Sequence, residues 1–391
     1  MGKWVKRAGI GLVAVVLTAG IAAALMREEI ARLMAVNSLF AAEKIVENFS
    51  HMDRAFLWVP LPTGEGRPLP ITDPVPLPDG AEEWIAARAV TGLVVLDDGA
   101  ITHESYHLGT EAEDLRVSWS VAKSALSLLT GTLVADKTLA LDDPVILHAP
   151  ELAGSAYDGA SLQDILQMES GVAFDEDYFD RDSDINRMGR VIALGGALDD
   201  FTAELVERNR TPGGDWAYVS MDTHVLGMAI RGATGRRIPD LLAERVLVPA
   251  GIGPATYLTD GEGVAFVLGG LNMRTRDYAR LGLLVAQGGV MEGRQIVPAD
   301  WIEASTAATA NTAEGEMGYG YQWWLPPDAR PGEVLGRGVY GQWLYIDRAR
   351  DVVIAVNAAD RAFREPGVRA GSIEMFRAIA DAQPGARAAK P

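Results

Sequence analysis

The residue pattern with the clearest chemical meaning is Ser120-Val121-Ala122-Lys123, a serine and a lysine three positions apart. On a helix, side chains at this spacing share one face, so the Lys123 amine can lie beside the Ser120 hydroxyl. A serine hydroxyl needs a neighbouring base to become nucleophilic, and burial can lower the pKa of a lysine until it serves as that base. We therefore expect Ser120 to open an apolar helix and to act as a nucleophile, although four-residue patterns also occur by chance.

A second candidate group is Tyr218-Val219-Ser220, which follows a Thr-Pro-Gly-Gly loop pattern at 211–214. A tyrosine on such a loop can exchange protons with a neutral lysine, first as a base and then as an acid toward a leaving group. The alternative is a ring that packs in the core and bonds its hydroxyl locally. Tyr218 and Ser220 are therefore candidate site residues only if the fold places them beside a group that exchanges protons, such as a neutral lysine.

An acidic run at 175–184 contains Tyr178, Asp182 and Asp184. The residue order of an EF-hand calcium loop is absent, so a calcium site is not predicted. A solvated loop is the simplest interpretation. The functional alternative is a pocket rim, in which Tyr178 donates a hydrogen bond and the two aspartates attract a cationic substrate group.

A glycine-rich segment near the end of the chain reads Gly-Arg-Gly-Val-Tyr-Gly-Gln at 336–342 and leads into an expected strand at Trp343. Glycine lets the backbone approach a ligand closely. N–H groups at a strand edge can bind a developing oxyanion, and the Ser120 N–H can supply a second donor. Gly338 and Tyr340 are the candidate ligand-contacting residues of this segment, although such a segment can also be an ordinary turn.

Composition restricts the function classes. A chain of 391 residues can bury a large core in one or two domains. The formal net charge of −18 argues against nucleic acid as a partner, which needs basic patches. The absence of cysteine excludes disulfides and thiolate chemistry. His103 and His107 lie four apart on an expected strand, and we interpret them as surface or packing residues rather than metal ligands.

The N-terminus predicts contact with a membrane. Lys3, Lys6 and Arg7 precede an uncharged run at Ala8–Leu25, which would be roughly 27 Å long as a helix and so close to the thickness of a bilayer core. The positive charges come first, which places the bulk of the chain outside the cytoplasm. Residues 1–26 are thus expected to be a signal anchor in the inner membrane, with the following domain in the periplasm. The alternative is a cleaved signal peptide, which would release the protein into the periplasm.

The remaining chain divides into a connector and a main domain. Residues 27–80 are expected to form an amphipathic helix, from Arg27 to Phe49, and then a proline-rich strap. The main domain is expected at 81–385. Its expected strands lie near both ends, including a hairpin around Asp97-Asp98-Gly99, and its expected helices lie in the middle.

This order predicts an α+β fold, with an antiparallel sheet flanked by helices and a helical insertion. The α/β part would comprise 81–150 and 263–385, and the helical part would comprise 151–262. A functional site is expected at the junction of the two parts, because pockets favour such interfaces.

Taken together, these motifs resemble those of the serine β-lactamase and penicillin-binding-protein superfamily. That pattern is Ser-x-x-Lys, then Tyr-x-Asn or Tyr-x-Ser, then a glycine-containing triad before a late strand. The likeness covers about 81–382 and is closest to class C-like members, among which it is similar to 6-aminohexanoate-dimer hydrolase and related esterases. The segments at 168–178 and 269–280 carry this closer likeness.

The resemblance implies a role for each candidate. Ser120 would be the acylated nucleophile, Lys123 its base and Tyr218 the proton shuttle to the leaving group. The N–H groups of Ser120 and Val339 would form the oxyanion hole, and Tyr178 would hold the substrate nitrogen. The implied substrate-contacting set comprises Tyr178, Ser220, Asp182, Asp184, Gly338 and Tyr340. No metal or organic cofactor is implied, and the implied substrate is a small ester or linear amide.

Two departures from the pattern bear on activity. The late triad is Gly336-Arg337-Gly338 instead of Lys-Thr-Gly or His-Thr-Gly, and Ser220 stands where many members carry Asn. Both predict weak or absent turnover of penicillins. Two other functions stay open at this point, a membrane-tethered binding or sensor module that does not turn over and a peptidoglycan D,D-carboxypeptidase. The oligomeric state also stays open.

Overall fold

The structure is a computed structural model that describes residues 27–385. The expected membrane anchor at 1–26 lies outside these residues. Within 27–385, no helix is both long enough and apolar enough to cross a bilayer.

The α-helices begin mostly in the first two thirds of the described chain. They are α1 (Arg27–Asn37), α2 (Ile45–Asn48), α3 (Ala81–Ala87), α4 (Val121–Ala135), α5 (Val145–His148), α6 (Leu162–Leu166), α7 (Asp184–Ala193), α8 (Leu198–Ala203), α9 (Ser220–Thr234), α10 (Ile238–Leu242), α11 (Val248–Ala250), α12 (Thr275–Ala286), α13 (Ala299–Ser305) and α14 (Val368–Ala382).

Strands occur near the start of the chain and again toward its end. They are β1 (Leu57–Pro60), β2 (Val90–Asp97), β3 (Ala100–Tyr106), β4 (Arg116–Val117), β5 (Ala255–Thr259), β6 (Leu271–Met273), β7 (Val290–Met291), β8 (Arg294–Gln295), β9 (Gly318–Tyr319), β10 (Trp324–Leu325), β11 (Glu333–Gly338), β12 (Gln342–Asp347) and β13 (Val352–Ala358).

A seven-stranded antiparallel sheet forms the centre of the molecule, in the order β3-β2-β13-β12-β11-β10-β9. Strands β2 and β13 are valine-rich and buried along their whole length, because helices cover both faces of the sheet. The sheet takes strands from both ends of the domain. This confirms the predicted α+β fold with an antiparallel sheet flanked by helices.

The helices pack in two layers. Helices α3 and α14 lie on one face of the sheet, where Ile85 and Phe376 contribute to a small apolar core. Helices α4 and α12 lie on the other face and join the main core. Gly282 lets α12 approach this closely, since a Cβ there would lie 2.8 Å from the side chain of Leu344. Helix α4 is thus enclosed on nearly all sides, which makes it a rigid base for the residues at its start.

The predicted hairpin is confirmed at β2 and β3. Asp97 pairs with Ala100 across a two-residue turn, in which Asp98 has φ +47° and Gly99 has φ +77°. Positive φ at both central positions is the geometry of a type I′ turn, which Asp-Gly favours.

Two features of the N-terminal part differ from expectation. The single helix predicted from Arg27 to Phe49 is broken, because the Asn48 side-chain amide donates to the carbonyls of Ser38 and Leu39 (both 3.0 Å) just beyond α1. A second sheet, β1-β5-β6-β4, was not predicted at all. Its strands have only two to five residues and offer little periodicity to read.

The proline-rich strap covers an edge of the large sheet. The Ile101 N–H in β3 donates to the Pro70 carbonyl (2.8 Å), and the Thr72 N–H donates back to the Ile101 carbonyl (3.1 Å). A further bond joins the Val75 N–H to the Thr102 carbonyl (2.9 Å). These bonds satisfy edge groups of β3 that would otherwise be open to another strand.

Candidate active site

Ser120 stands at the junction between β4 and α4. The strand residues Arg116 and Val117 lead into a tight turn, in which the Val121 N–H donates to the Ser118 carbonyl (3.2 Å). Trp119 has φ +41°, an uncommon value for a residue with a side chain. Ser120 follows it immediately and precedes the first residue of α4, so its side chain is fixed by a buried helix on one side and a strand on the other.

Lys123 is buried and bonded to the serine. Its Nζ lies 3.1 Å from the Ser120 Oγ and 2.7 Å from the Leu268 carbonyl oxygen, and the residue is 1% exposed. Burial lowers the pKa of Lys123 to about 7, while the negative charges of Glu176 and Asp222 oppose this decrease. A substantial fraction of the amine is therefore neutral at neutral pH and can accept the proton of Ser120.

Tyr218 lies on the other side of the serine. The hydroxyls of Ser120 and Ser220 lie near its phenol and act to lower the pKa of Tyr218, and its ring centroid is 5.4 Å from the Lys123 Nζ. The ring stacks on Trp324, with centroids 5.4 Å apart. Burial, together with the negative charge of Glu176, raises the pKa of Tyr218 well above its ordinary value. The phenol therefore keeps its proton at neutral pH and is suited to donate it.

Glu176 is a member of this group that the sequence interpretation missed. The Ser220 N–H donates to its Oε1, and its carboxyl also interacts with Tyr178. Burial raises the pKa of Glu176, whereas the neighbouring Lys123 lowers it. The acidic composition of the loop suggested a solvated segment. A usable signal was the spacing of Glu176 and Tyr178, because residues two apart on an extended chain point to the same side.

The end of β11 reaches the start of α4. A Cβ on Gly338 would lie 3.1 Å from the Ser120 backbone nitrogen and 2.7 Å from the Ser118 carbonyl oxygen, so only glycine allows this approach. Val339 begins a single helical turn, just as Ser120 precedes α4. Backbone N–H groups at such starts have no acceptor within the helix. Ser120 and Val339 line the same cavity, although β11 itself was not predicted as a strand.

These elements enclose one cavity of about 210 Å³. It is lined by Ser120, Glu176, Tyr178, Tyr218, Trp324, Arg337, Gly338, Val339, Phe363 and Arg364.

The outer wall of the cavity is cationic. The Arg337 guanidinium lies between Trp324 and Trp343, 5.7 and 5.5 Å from the two ring centroids. Burial lowers the pKa of Arg337 to about 10, so it stays charged at neutral pH. The Arg364 guanidinium lies 5.7 Å from the Tyr178 ring centroid. Its Nη1 lies 3.4 Å from the Asp177 Oδ1.

Comparison with known proteins gives the family. Residues 85–372 match the family model described as Beta-lactamase. This protein belongs to the beta-lactamase family. It is 31% identical to 6-aminohexanoate-dimer hydrolase from Paenarthrobacter ureafaciens over 293 residues, which is 71% of this chain and 74% of that protein.

Solved structures of other members share the fold. A Bacillus anthracis structure assigned to the 6-aminohexanoate-dimer hydrolases superposes with a TM-score of 0.76 at 22% identity, over 88% of this chain and 95% of that chain. A family VIII carboxylesterase gives a TM-score of 0.60 at 14% identity, over 80% and 99% of the two chains. At these identities the likeness shows the fold.

Three residues of the predicted substrate-contacting set lie elsewhere. Asp182 is exposed, and Asp184 accepts the Asp175 N–H (2.9 Å) while its other oxygen pairs with Arg187 (2.7 Å). These aspartates shape the loop and are not among the residues that line the cavity. Tyr340 is 9% exposed and packs in an aromatic cluster behind the cavity wall.

The other predicted positions come together around the serine, namely Lys123, Tyr178, Tyr218, Ser220, Gly338 and Val339.

Between residues 27 and 385, no three or more acidic or histidine side chains gather in a way that could hold a metal ion. His103 and His107 each hydrogen-bond the Ser105 hydroxyl at 3.0 Å. The Nε2 atom of each ring is thereby engaged in a side-chain network on β3 and at its end.

Proposed function

We propose that this beta-lactamase-family protein hydrolyses a small ester or a linear amide through an acyl-Ser120 intermediate. The observation that carries the proposal is the bond of 3.1 Å between the Lys123 Nζ and the Ser120 Oγ, with the pKa of Lys123 lowered to about 7. A buried, partly neutral amine in contact with a hydroxyl is the arrangement that activates a serine. The identity of 31% to an amide hydrolase supports the same reaction class.

In the first half of the reaction, the Ser120 Oγ attacks the substrate carbonyl carbon and its proton moves to the Lys123 Nζ. The carbonyl oxygen becomes an oxyanion, which the N–H groups of Ser120 and Val339 stabilise. Tyr218 donates its phenolic proton to the leaving oxygen or nitrogen as the C–O or C–N bond breaks, and it regains a proton from Lys123. An ester between the acyl group and Ser120 remains.

In the second half, water attacks the acyl carbon and gives its proton to the neutral Lys123. The new tetrahedral oxyanion uses the same two N–H donors. Its collapse breaks the bond to the Ser120 Oγ, which recovers a proton, and the acid product leaves. Glu176 is positioned to stabilise the protonated state of Lys123 during both halves, because its carboxyl lowers the energy of the ammonium.

The charges around the cavity favour a neutral or anionic substrate over a cationic one. Arg337 and Arg364 line the cavity, while Asp182 and Asp184 do not. The expectation that the acidic loop attracts a cation therefore has no support in the geometry. Since the late triad is Gly336-Arg337-Gly338, we also expect turnover of nitrocefin and penicillins to be weak or absent.

The test is intact-mass spectrometry of the purified protein with a fluorophosphonate probe, beside turnover of a panel of p-nitrophenyl esters and anilides. Wild type and Ser120→Ala are compared, with Ser127→Ala on the same helix as the matched control. We expect one covalent adduct and measurable turnover, both lost only in Ser120→Ala. A folded wild type with neither adduct nor turnover would reject the proposal and favour a binding module, and efficient nitrocefin hydrolysis would reject the expected specificity.

A further inference from the structure

An aromatic cluster beside the cavity connects the N-terminal segment to both sides of the proposed oxyanion hole. Its members are Phe40, Phe49, Trp119, Tyr340 and Phe363. Phe40 stacks on Tyr340 with centroids 4.8 Å apart and ring planes 13° apart, and it lies 5.9 Å from Trp119. Phe49 lies 5.6 Å from both Trp119 and Tyr340.

Two members of the cluster are direct neighbours of the oxyanion donors. Trp119 precedes Ser120, and Tyr340 follows Val339. Both have positive φ, +41° for Trp119 and +58° for Tyr340. Such conformations are unfavourable by about 1–3 kcal/mol each, and they persist only where the surroundings hold the residue in place. The rings of Phe40 and Phe49 are part of those surroundings for both strained residues.

Backbone and polar contacts fasten the same N-terminal segment just ahead of the nucleophile. The Val117 N–H donates to the Phe49 carbonyl (3.1 Å). The buried Arg116 donates to the Val46 carbonyl (2.7 Å) and the Ser50 hydroxyl (2.6 Å). The family match starts only at residue 85, so this backing comes from a part of the chain outside the matched domain.

We infer that Phe40 and Phe49 are positioning residues, which hold the N–H groups of Ser120 and Val339 at the separation that an oxyanion requires. The inference rests on the proposed acyl-serine reaction. Donors aimed at a developing charge act through their fixed geometry, and small displacements of such groups reduce turnover more than they reduce substrate binding. Loss of the backing should therefore lower kcat and leave KM nearly unchanged.

Phe40 is the better position for a test, since it is 39% exposed whereas Phe49 is fully buried. Phe40→Ala removes the ring, and Phe40→Tyr keeps it. Trp58→Ala is the matched control, because Trp58 is also an exposed aromatic residue of the N-terminal part (45%) but lies on β1, outside the cluster. The readouts are kcat and KM for a p-nitrophenyl ester, the Kd of phenylboronic acid, whose serine adduct places an oxygen in the oxyanion hole, and the melting temperature.

We expect Phe40→Ala to lower kcat about tenfold, which is less than the loss of a whole oxyanion donor, and to weaken boronate binding by a similar factor. KM should stay within about twofold, since ground-state binding does not use the oxyanion geometry. Phe40→Tyr and Trp58→Ala should behave like wild type. An active, folded Phe40→Ala protein with unchanged kcat and boronate affinity would overturn the inference alone. A wild type without turnover would overturn it together with the proposed function.

Discussion

Two cavities of this molecule are lined by arginines, and they differ in how the charges are neutralised. The proposed catalytic cavity of about 210 Å³ is lined by Arg337, which lies between two tryptophans, and by Ser120, whose partner Lys123 has its pKa lowered to about 7. The second cavity, of about 280 Å³, lies under the proline-rich strap. Its lining includes Arg67, Arg274, Arg276 and Arg280.

In the second cavity the arginines are matched by acceptors. Arg274 pairs with Asp277 (2.6 Å) and Glu113 (2.8 Å), and Arg280 donates to the Arg67 carbonyl (2.5 Å). Burial opposes the charge of Arg274, but its bonds to Asp277 and Glu113 raise its pKa above the ordinary value. One cavity therefore keeps charged groups in unfavourable surroundings where chemistry needs them, and the other uses paired charges to hold the strap. Variants of the first should lose activity without losing stability, and variants of the second the reverse.

The largest effect is expected for Lys123→Met. Without the base, turnover should fall by at least about 10³-fold. The free energy of unfolding should rise, because the decrease of the Lys123 pKa from 10.5 to about 7 corresponds to ~5 kcal/mol against folding, which the variant no longer carries. The loss of the two Lys123 hydrogen bonds offsets only about 1 kcal/mol each.

The net increase of about 3 kcal/mol in the free energy of unfolding of Lys123→Met should depend on pH. Below pH 7 the buried lysine is charged in both the folded and unfolded states, so the gain is complete there. It should shrink as the pH rises from 7 to 10.5, where the unfolded lysine also becomes neutral. Urea unfolding at pH 6 and pH 10 measures this, with the exposed Lys44→Met as control. Equal stability of wild type and Lys123→Met at pH 6 would contradict it.

A loss of stability without a loss of activity is expected for Asp277→Asn in the second cavity. Asp277 is 2% exposed, accepts the Gly253 N–H (3.1 Å) and pairs with Arg274. Breaking one partner of a buried ion pair should lower the free energy of unfolding by about 3 kcal/mol, while kcat stays near the wild-type value. Glu292→Gln is the matched control, since its pair with Arg67 is exposed (59% for Glu292) and should contribute less than about 1 kcal/mol. A large loss of kcat in folded Asp277→Asn would contradict the expected difference between variants of the two cavities.

A smaller effect is expected for Arg337→Gln. If the cationic wall selects substrates, kcat/KM should fall about tenfold, or ~1.4 kcal/mol, for an ester that carries a carboxylate. The matched neutral ester should change less than about twofold. Arg67→Gln, in the other cavity, should change neither substrate. Equal losses on both esters would show that Arg337 supports the fold of the site and does not select charge.

The smallest effect is expected for Glu176→Gln. The negative charge of Glu176 raises the pKa of Lys123, so its removal should lower that pKa further. The active form of Lys123 is neutral, and the rising limb of kcat/KM against pH should therefore move to lower pH, by up to about one unit. Asp180→Asn, an exposed acid of the same loop, is the control. A limb that stays in place or moves to higher pH would argue against coupling between Glu176 and Lys123.

The sequence predicted those parts of the site that depend on local spacing. Ser120 and Lys123 are one helical turn apart, and the hairpin at Asp98 and Gly99 depends on two adjacent residues. The parts it failed to predict depend on distant pairings. Strand β11 ends in Gly336 and Gly338, which indicate a turn, although the folded chain pairs it with both β10 and β12. Strand β1 pairs with β5, some two hundred positions later in the chain.

The acidic loop shows the same limit at the level of side chains. Glu176 turns inward to Ser220 and Lys123, whereas Asp182 faces solvent and Asp184 bonds within the loop. All three are acidic residues of the same acidic run, so the sequence alone does not distinguish them. Which of them is buried depends on the packing of the loop against α9 and the catalytic residues, and this is a property of the folded chain that residue types alone do not encode.

The buried Arg116 determines where this protein can be shortened. Its side chain is 1% exposed, and the acceptors of its Nη1, Val46 and Ser50, belong to a segment well ahead of the family boundary at residue 85. A gene truncated at that boundary would encode the whole proposed catalytic cavity but would lack both acceptors of this guanidinium. An uncompensated buried charge costs about 3–5 kcal/mol, a large share of the roughly 5–15 kcal/mol that stabilises a typical domain. We therefore expect the smallest independently stable unit to begin upstream of Val46.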